Sequence, residues 1–305
     1  MNDNNTLIKK DGKKNWKYKM LDFVRTKVLC IVPDKLYLKI MYKLKTGHKL
    51  NLKEPKRYTE KIQWLKLYGR KPEYTNYADK IKVREIVKNK CGNKYLIPLL
   101  GVYNSFEDID FDKLPEQFVL KCNHDSGSVV ICTDKNNFNF EYAKKKLNKA
   151  LKTDYAVIGR EYIYKDIDRK IMAEEYLSDL GGDSANDYKI FIMNGELSHI
   201  EICSDRFTDF KVTYFDKYKN KLNISEMGEK VDKSISLPTE IDEMIRIAKE
   251  IAKGIPLLRV DFYDVNGKIY FGEVAFFDCS GYATYSDDSF DYKLGENLIL
   301  PERKN

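Results

Sequence analysis

Bulky and polar side chains alternate through Leu258 to Val274, and this is the clearest pattern in the chain. Val260, Phe262 and Tyr263 lie before Asn266-Gly267, and Ile269, Tyr270 and Phe271 lie after it. β-branched and aromatic runs around an Asn-Gly pair predict a β-hairpin. The register of that hairpin decides what its charges can do. A two-residue loop would place Asp261 opposite Gly272 and turn Glu273 to the other face. A three-residue loop, Val265-Asn266-Gly267 with Gly267 left-handed in a bulge, pairs Arg259 with Glu273 and aims both, with Asp261, at one face, because side chains alternate with period two. The three-residue register is the expectation.

Elsewhere the periodicity changes with position. Trp16 to Cys30 and Lys35 to Leu44 carry apolar residues at helical spacing and break at Pro33. Thr59 is placed to cap a helix over Glu60 to Tyr68 that stops at Gly69, and Thr75 or Asn76 to open a helix over Tyr77 to Lys90 that stops at Gly92. From Leu96 strands and helices alternate. Tyr95 to Leu100, Gln117 to Lys121 and Val129 to Thr133 read as strands, followed by a lysine-rich helix over Glu141 to Leu151 and a short strand within Lys170 to Leu177. Gly181-Gly182 breaks the chain. Asp187 to Met193 and Leu197 to Ser204 form a second predicted hairpin at Asn194-Gly195, with Asp205-Arg206 on the loop beyond. Pro238 to Gly254 reads as a helix with Ile241, Met244, Ile245, Ala248 and Ile251 facing inward.

Composition narrows the class. A chain of 305 residues with 43% hydrophobic content, 15 Phe and 22 Tyr has ample material for two or three lobes and no disorder signature. No run approaches the roughly 20 apolar residues of a membrane span, and Met1 to Gly12 lacks the apolar centre of a signal peptide. A cytoplasmic protein is expected. The six cysteines contain no C-x-x-C pair, so neither a zinc knuckle nor a disulfide framework is indicated. Net charge is +7, but residues 1–53 alone hold 14 Lys or Arg against four Asp, a balance of +10, which leaves −3 for the rest. The basicity belongs to an arm. It is either a solvated face or a contact for the anionic inner surface of a membrane, or for a lipid-linked glycan there.

Two groups of residues carry candidate chemistry. Asp261 and Glu273 converging on one face would be hard oxygen ligands suited to Mg²⁺ beside a phosphate, with a solvated surface hairpin as the alternative. The Cys122-Asn-His-Asp-Ser-Gly-Ser128 turn between two strands offers backbone N–H groups to phosphate oxygens, with Lys121 as a point charge. It is not a Walker A loop. His124 reads as a hydrogen-bonding loop residue, since no Ser or Cys partner stands at a telling spacing.

Taken in order, Phe118-Val-Leu-Lys121, Ser126-Gly127-Ser128, Ile171-Met-Ala-Glu-Glu-Tyr-Leu177, Arg259-Val-Asp261 and Gly272-Glu273 resemble an ATP-grasp fold. The nearest branch is that of teichuronopeptide-biosynthesis proteins. The likeness to it is carried by Tyr58-Thr-Glu-Lys-Ile-Gln-Trp-Leu-Lys66, Asp79-Lys80 with Arg84, Lys121 to Gly127, Asp187-Tyr-Lys189, Asp205-Arg-Phe-Thr208 and Asp291-Tyr-Lys-Leu-Gly295, over roughly Lys56 to Pro301.

The resemblance implies an α+β architecture in which two lobes with antiparallel sheets clamp ATP, preceded by a helical N-terminal region. Its parts would be a basic helical arm (1–55), a helical pre-grasp region (56–115), a lid subdomain (116–180) and a C-terminal catalytic lobe (181–305). By the same likeness Lys121 contacts the nucleotide phosphates, and the Asn123, His124, Ser126, Gly127 and Ser128 turn forms a lid over them. Glu174 accepts from the adenine amine, Glu175, Tyr176 and Leu177 form the hinge against the base, and Asp187 joins the nucleotide-binding set. Asp261 and Glu273 hold Mg²⁺, Arg259 stabilises the transferring phosphoryl group, and Lys189 and Arg206 touch substrate or phosphate.

The implied reaction activates a carboxylate as an acyl phosphate, which an amine then attacks. The acceptor would be a surface polysaccharide or its precursor, and nucleic acid is not an expected partner. Many ATP-grasp enzymes place an Asn two residues after the metal glutamate, whereas this chain has Ala275. Either one metal suffices or Asp278 compensates. A kinase or glycosyl-transfer role, or a nucleotide-binding partner without catalysis, stands as the alternative.

Overall fold

The structure is a computed structural model that describes residues 32–177, 186–205 and 208–303. The predicted helix over Trp16 to Cys30, the Gly181-Gly182 break and Arg206 lie outside these residues. The chain divides into two compact units. Among the described residues, the first gathers 32–50, Arg70–Asp79 and Leu99–Tyr176, and the second gathers Asn51–Gly69, Lys80–Pro98 and those from Leu177 on.

In the first unit, α1 (Asp34–Thr46) follows Pro33, whose fixed φ suits a helix start. A four-stranded antiparallel sheet runs in the order β1 (Leu99–Tyr103), β4 (Ile171–Glu175), β2 (Phe118–Cys122), β3 (Val130–Cys132). Its apolar face holds Phe118, Leu120, Cys122, Ile171 and Ala173. That face packs on Ala143, Leu147 and Ala150 of α5 (Phe140–Lys152), which the short helix α6 (Tyr155–Gly159) follows, with Phe106 and Leu114 also in this core. Alternation leaves Val119 and Lys121 on the other face, with Met172 and Glu174 opposite them.

The predicted helix over Tyr77 to Lys90 is two helices, α3 (Tyr74–Ala78) and α4 (Lys82–Cys91). Asp79 breaks it with an extended backbone at φ −79°, ψ 111°, and turns its carboxylate to accept from the Asn123 amide at 2.9 Å. The strand expected over Tyr95 to Leu100 starts later, at Leu99, because Asn93–Tyr95 form a 3₁₀ turn.

The second unit is built on a six-stranded antiparallel sheet. Its order is β10 (Lys268–Ala275), β9 (Leu257–Val265), β5 (Asp187–Met193), β6 (Glu196–Ser204), β7 (Lys211–Asp216) and β8 (Lys221–Leu222). One face is apolar, with Ile190, Ile192, Ile200, Ile202, Leu258, Val260 and Phe262 buried there. The helix α7 (Ile241–Ile251) packs on strands of this sheet. Its buried positions are Ile241, Met244, Ile247, Ala248 and Ile251. Ile245, expected inside, is only half-buried and Ile247 takes its place, since Ile247 lies three residues after Met244 and four before Ile251.

Thr59 does not cap α2 (Tyr58–Tyr68). Arg57 is the N-cap residue, and its backbone N–H donates to Glu60 at 3.1 Å in the reciprocal half of a capping box. Thr59 instead engages Asp291 on α8 (Asp288–Asn297) through both N–H (3.0 Å) and hydroxyl (2.7 Å). Lys61 donates to the Gly295 and Leu298 carbonyls at 2.7 Å each. The helices meet so closely that a Cβ on Gly295 would stand 2.0 Å from the Lys56 carbonyl oxygen.

The hairpin register differs from expectation. Asn266 (φ 52°) and Gly267 (φ 79°) form a two-residue loop, the left-handed pair of a type I′ turn, and Lys268 pairs with Val265. A regular ladder would then set Glu273 on the wrong face. The register shifts between Phe271 and Glu273, however, so Gly272 is an extra bulge residue and Glu273 stands directly opposite Asp261. Arg259 faces Ala275 rather than Glu273. The shared face of Arg259, Asp261 and Glu273 is thus made by a bulge in mid-strand, not by a longer loop.

Candidate functional site

In the first unit Lys121 reaches diagonally across β2 and β4, and its Nζ lies 2.5 Å from Glu174 Oε2, with both side chains mostly buried. The turn after Lys121 is partly interior. Asn123 is buried and donates to Asp79 and to the Asp168 carbonyl (3.0 Å) while accepting from the Lys170 N–H (2.8 Å), so both of its amide N–H donors and its amide oxygen are used in holding the turn. His124 is fully buried, with Nε2 3.2 Å from the Ala150 carbonyl. Ser128 closes the turn by accepting from the Cys122 N–H (2.8 Å) and donating to Asp125 (2.6 Å). Asp125, Ser126 and Gly127 are the part of the turn that reaches the surface. Glu175 is exposed at the end of β4, and Tyr176 and Leu177 are half-buried beyond it.

In the second unit the polar face of the large sheet carries a row of ionisable groups. Glu273, Asp261, Lys189, Glu201 and Tyr214 stand opposite one another in turn across β10, β9, β5, β6 and β7. Directly opposed pairs sit about 4.5–5.5 Å apart at Cβ, close enough for each member to set its neighbours' charge. Asp187 extends the same face at the start of β5, opposite Tyr263 and Cys203. Arg259 binds Asp261 with two parallel hydrogen bonds, Nε to Oδ1 at 2.7 Å and Nη2 to Oδ2 at 2.6 Å. Its Nη1 donates to Asp278, and Nη2 lies 3.5 Å from Glu273. Lys80 approaches the other Glu273 oxygen at 3.3 Å.

The buried charges hold one another in their ionised forms. Burial alone would raise the Asp278 pKa, but Arg259 and Lys189 outweigh it and bring it down to about 2. Burial opposes charge on Arg259 too, and Asp261 and Asp278 reverse this and drive its pKa well above the usual range. Lys189 is likewise held as a cation against burial by Cys203, Glu201 and Asp278. Glu226 is the exception: burial, then the nearby Glu201 and Asp278 carboxylates, push its pKa well above the usual range.

Asp261 and Glu273 form a pair of hard oxygen donors on adjacent strands, the donor chemistry that suits Mg²⁺. A carboxylate has about four lone-pair sites, so the Arg259 fork does not exhaust Asp261. Asp278 sits on the far side of the Arg259 guanidinium from Asp261, with its ligand oxygen gathered near Glu226 and Cys279.

Asp278 belongs to a turn (Asp278–Gly281) in which Cys279 and Ser280 take left-handed φ values of 45° and 53°. Buried Lys66 on α2 donates to both the carbonyl (2.8 Å) and hydroxyl (2.7 Å) of Ser280, and Gln63 donates to the Gly281 carbonyl at 2.7 Å. The motif around Tyr58 to Lys66 therefore serves to fix this turn. Sequence reasoning missed Glu201, Tyr214 and Glu226. The first was signalled by the alternation His199-Ile-Glu-Ile-Cys203, polar and apolar in turn, within a strand that looked merely hydrophobic.

The sequence model of the TupA-like ATP-grasp proteins matches residues 60–299. The chain belongs to this family. Its α+β architecture, two units each with an antiparallel sheet, is the ATP-grasp fold with helical segments ahead of it. No curated protein matches the chain. Among solved structures, this TupA-like protein is similar to the D-alanine–D-alanine ligase of Bacillus anthracis at 19% identity and a TM-score of 0.39, covering 66% of this chain and 57% of that one. It is also similar to D-cycloserine synthetase DcsG (11%, TM-score 0.41, 74% and 70% covered). A third likeness is to the ATP-grasp ligase PsnB, solved with a minimal precursor, Mg and ADP (11%, TM-score 0.37, 86% and 63% covered). The chain therefore spans little more than half the length of the D-alanine–D-alanine ligase it matches.

Proposed function

We propose that the protein is an ATP- and Mg²⁺-dependent carboxylate–amine ligase acting through an acyl phosphate, with a surface polysaccharide or its precursor as acceptor. The observation that carries this reading is the Glu273–Asp261–Lys189–Glu201 row with Arg259 clasped to Asp261. Phosphoryl transfer to a carboxylate asks for positioned cations and a metal pair more than for a covalent nucleophile. Arg259 and Lys189 are held as cations by the carboxylates around them, so neither must gain a proton to meet the charge of a transferring phosphoryl group. Asp261 and Glu273 would hold Mg²⁺, which supplies charge neutralisation at the phosphate oxygens.

Lys121 takes the role of phosphate contact and exchanges its Glu174 partner for the nucleotide. The Asp125 to Gly127 stretch, with Gly127 exposed at its tip, lies over the phosphates, Glu174 to Leu177 receive the base, and Arg206 joins Lys189 at the substrate. In this assignment residues 116–180 bind phosphate and base and 181–305 carry the metal and the reacting carboxylate. The basic arm, net +10 over residues 1–53, keeps the enzyme at the inner face of the membrane beside a lipid-linked acceptor.

Product analysis tests the chemistry. ADP and inorganic phosphate released in step with a new amide supports the ligase. A phosphorylated glycan without free phosphate replaces it with a kinase, and no turnover with intact ATP binding leaves a nucleotide-binding partner. Calorimetry of Lys121→Ala tests the phosphate contact, which fails if affinity for ATP is unchanged. Salt-sensitive co-sedimentation with anionic vesicles tests the arm.

A further inference from the structure

On the far side of Arg259 from the Asp261–Glu273 pair, the second unit brings together a different set of donors. Glu226, Asp278 and Cys279 place two carboxylate oxygens and a thiol sulfur within 4.8 Å of one another, and Cys279 Sγ lies 3.2 Å from Glu226 Oε1. The backbone fixes all three. Glu226 is tied by a two-stranded bridge in which the Met227 N–H donates to the Thr284 carbonyl (2.7 Å) and the Ser286 N–H to the Ser225 carbonyl (2.8 Å). Asp278 and Cys279 belong to the turn that Lys66 and Gln63 clamp.

A second observation points to the same interior volume. Glu201 Oε2 and the Tyr58 and Tyr214 hydroxyls are buried, at 1% exposure or less, and make no hydrogen bond. Tyr214 stands directly opposite Glu201 and within electrostatic reach of Glu226 and Asp278, as Tyr58 does of Asp278, Glu201 and Cys279. A self-sufficient polar core pairs such groups. The two tyrosine hydroxyls are left unpaired and Glu201 Oε2 has only the Lys189 ammonium at 3.6 Å, and this shortfall around two carboxylates and a thiol indicates a site for a hydrated cation.

We propose that Glu226, Asp278 and Cys279 bind a borderline-soft divalent cation of the Zn²⁺ type, with Glu201, Tyr58 and Tyr214 hydrogen-bonding the water that completes its shell. The sulfur decides the class. Mg²⁺ and Ca²⁺ take oxygen donors, and an ammonium gains little from a thiol, whereas Zn²⁺ takes thiolate at about 2.3 Å and carboxylate at about 2.0–2.2 Å. Tetrahedral bonds of those lengths set donors roughly 3.5 Å apart, a spacing that the present cluster reaches by small side-chain movements. Ligation takes the thiolate and the Glu226 carboxylate, so the Cys279 proton and the proton that burial and the neighbouring carboxylates keep on Glu226 both pass to solvent. Cys279 is only half-buried, which gives the ion a way in. The site stands independently of the ligase reading.

The test uses the full-length protein, stripped with a chelator and titrated with Co²⁺ and then Zn²⁺. One Co²⁺ per chain should bind with a thiolate charge-transfer band that Zn²⁺ removes and excess Mg²⁺ does not. Cys279→Ser and Glu226→Gln should each abolish the band and weaken Zn²⁺ binding by about tenfold or more, whereas Cys91→Ser should leave both intact. Zn²⁺ should raise the unfolding temperature of the parent and not of Glu226→Gln, and circular dichroism checks that each variant is folded. If Cys279→Ser does not fold, Glu226→Gln decides alone. No thiolate band, a band that survives either substitution, or equal competition by Mg²⁺ overturns the proposal.

Discussion

Replacing Asp278 by Asn removes one negative charge from the buried Arg259 cluster while keeping the shape of the side chain. Asp278 has a folded pKa of about 2 against an ordinary 3.8, a depression produced by Arg259 and Lys189 against the opposing effect of burial. Each pKa unit corresponds to about 1.4 kcal/mol, so the ionised carboxylate contributes on the order of 2–3 kcal/mol to folding. The sign follows from linkage. A depressed folded pKa gives stability that is fully present above the unfolded value and is lost as pH falls toward the folded one. Parent and Asp278→Asn should therefore differ by a constant amount of about 2–3 kcal/mol from pH 5 to 8, and about half of that difference should be gone at pH 3. Arg259 keeps its two-pronged contact with Asp261, so the loss should stay below the roughly 3–5 kcal/mol of a fully orphaned buried charge. Urea unfolding at pH 7, 5 and 3, monitored by tryptophan fluorescence, measures it. A difference under about 0.5 kcal/mol at pH 7, or one undiminished at pH 3, would show that charge on Asp278 is not what the fold uses.

Gly295→Ala should destabilise the second unit by about 2–3 kcal/mol, because its Cβ meets backbone at 2.0 Å. Gly254→Ala, left-handed at φ +82° but with open space, should lose only about 1 kcal/mol, and equal losses in urea unfolding would contradict the close contact between α2 and α8. Lys189→Met should cost about 3–5 kcal/mol by leaving Glu201 buried without its nearest cation, and Lys189→Met with Glu201→Met should recover most of it. A strictly additive double mutant in the same assay would remove the coupling. Asn123→Ala should lower stability by about 3 kcal/mol through three lost hydrogen bonds, and a variant as stable as the parent would return Asn123 to a purely ligand-facing role.

Much of this was legible where local chemistry and periodicity agree. Asp187 to Met193 was read to the residue, and four of the five inward positions on α7, Ile241, Met244, Ala248 and Ile251, were found from spacing. The failures lie where a distant partner overrides local preference. Thr59 is a good N-cap residue by type, but Asp291 takes both its hydroxyl and its N–H, and the capping passes to Arg57 and Glu60. The Tyr77 to Lys90 periodicity is continuous in sequence, yet Asp79 leaves the helix to accept from Asn123, 44 residues away. Helical spacing carries no information about such a contact.

The hairpin shows why a correct face can be inferred from a wrong register. Asn266-Gly267 forms the short turn its residue types favour, and that turn alone would have sent Glu273 away from Asp261. Gly272 reverses the outcome by inserting one unpaired residue, and a Cβ there would press the Tyr263 ring at 3.1 Å and the Asp261 carbonyl at 3.2 Å. The bulge residue thus has to be small for the two carboxylates to meet. Gly272-Glu273 reads in sequence as a motif pair, and its physical content is that the first residue sets the face of the second. The same logic extends across the sheet: once Glu273 is opposite Asp261, ordinary alternation in β5, β6 and β7 brings Lys189, Glu201 and Tyr214 into the row, so a single bulge at one edge aligns Glu273 with a line of ionisable groups five strands wide.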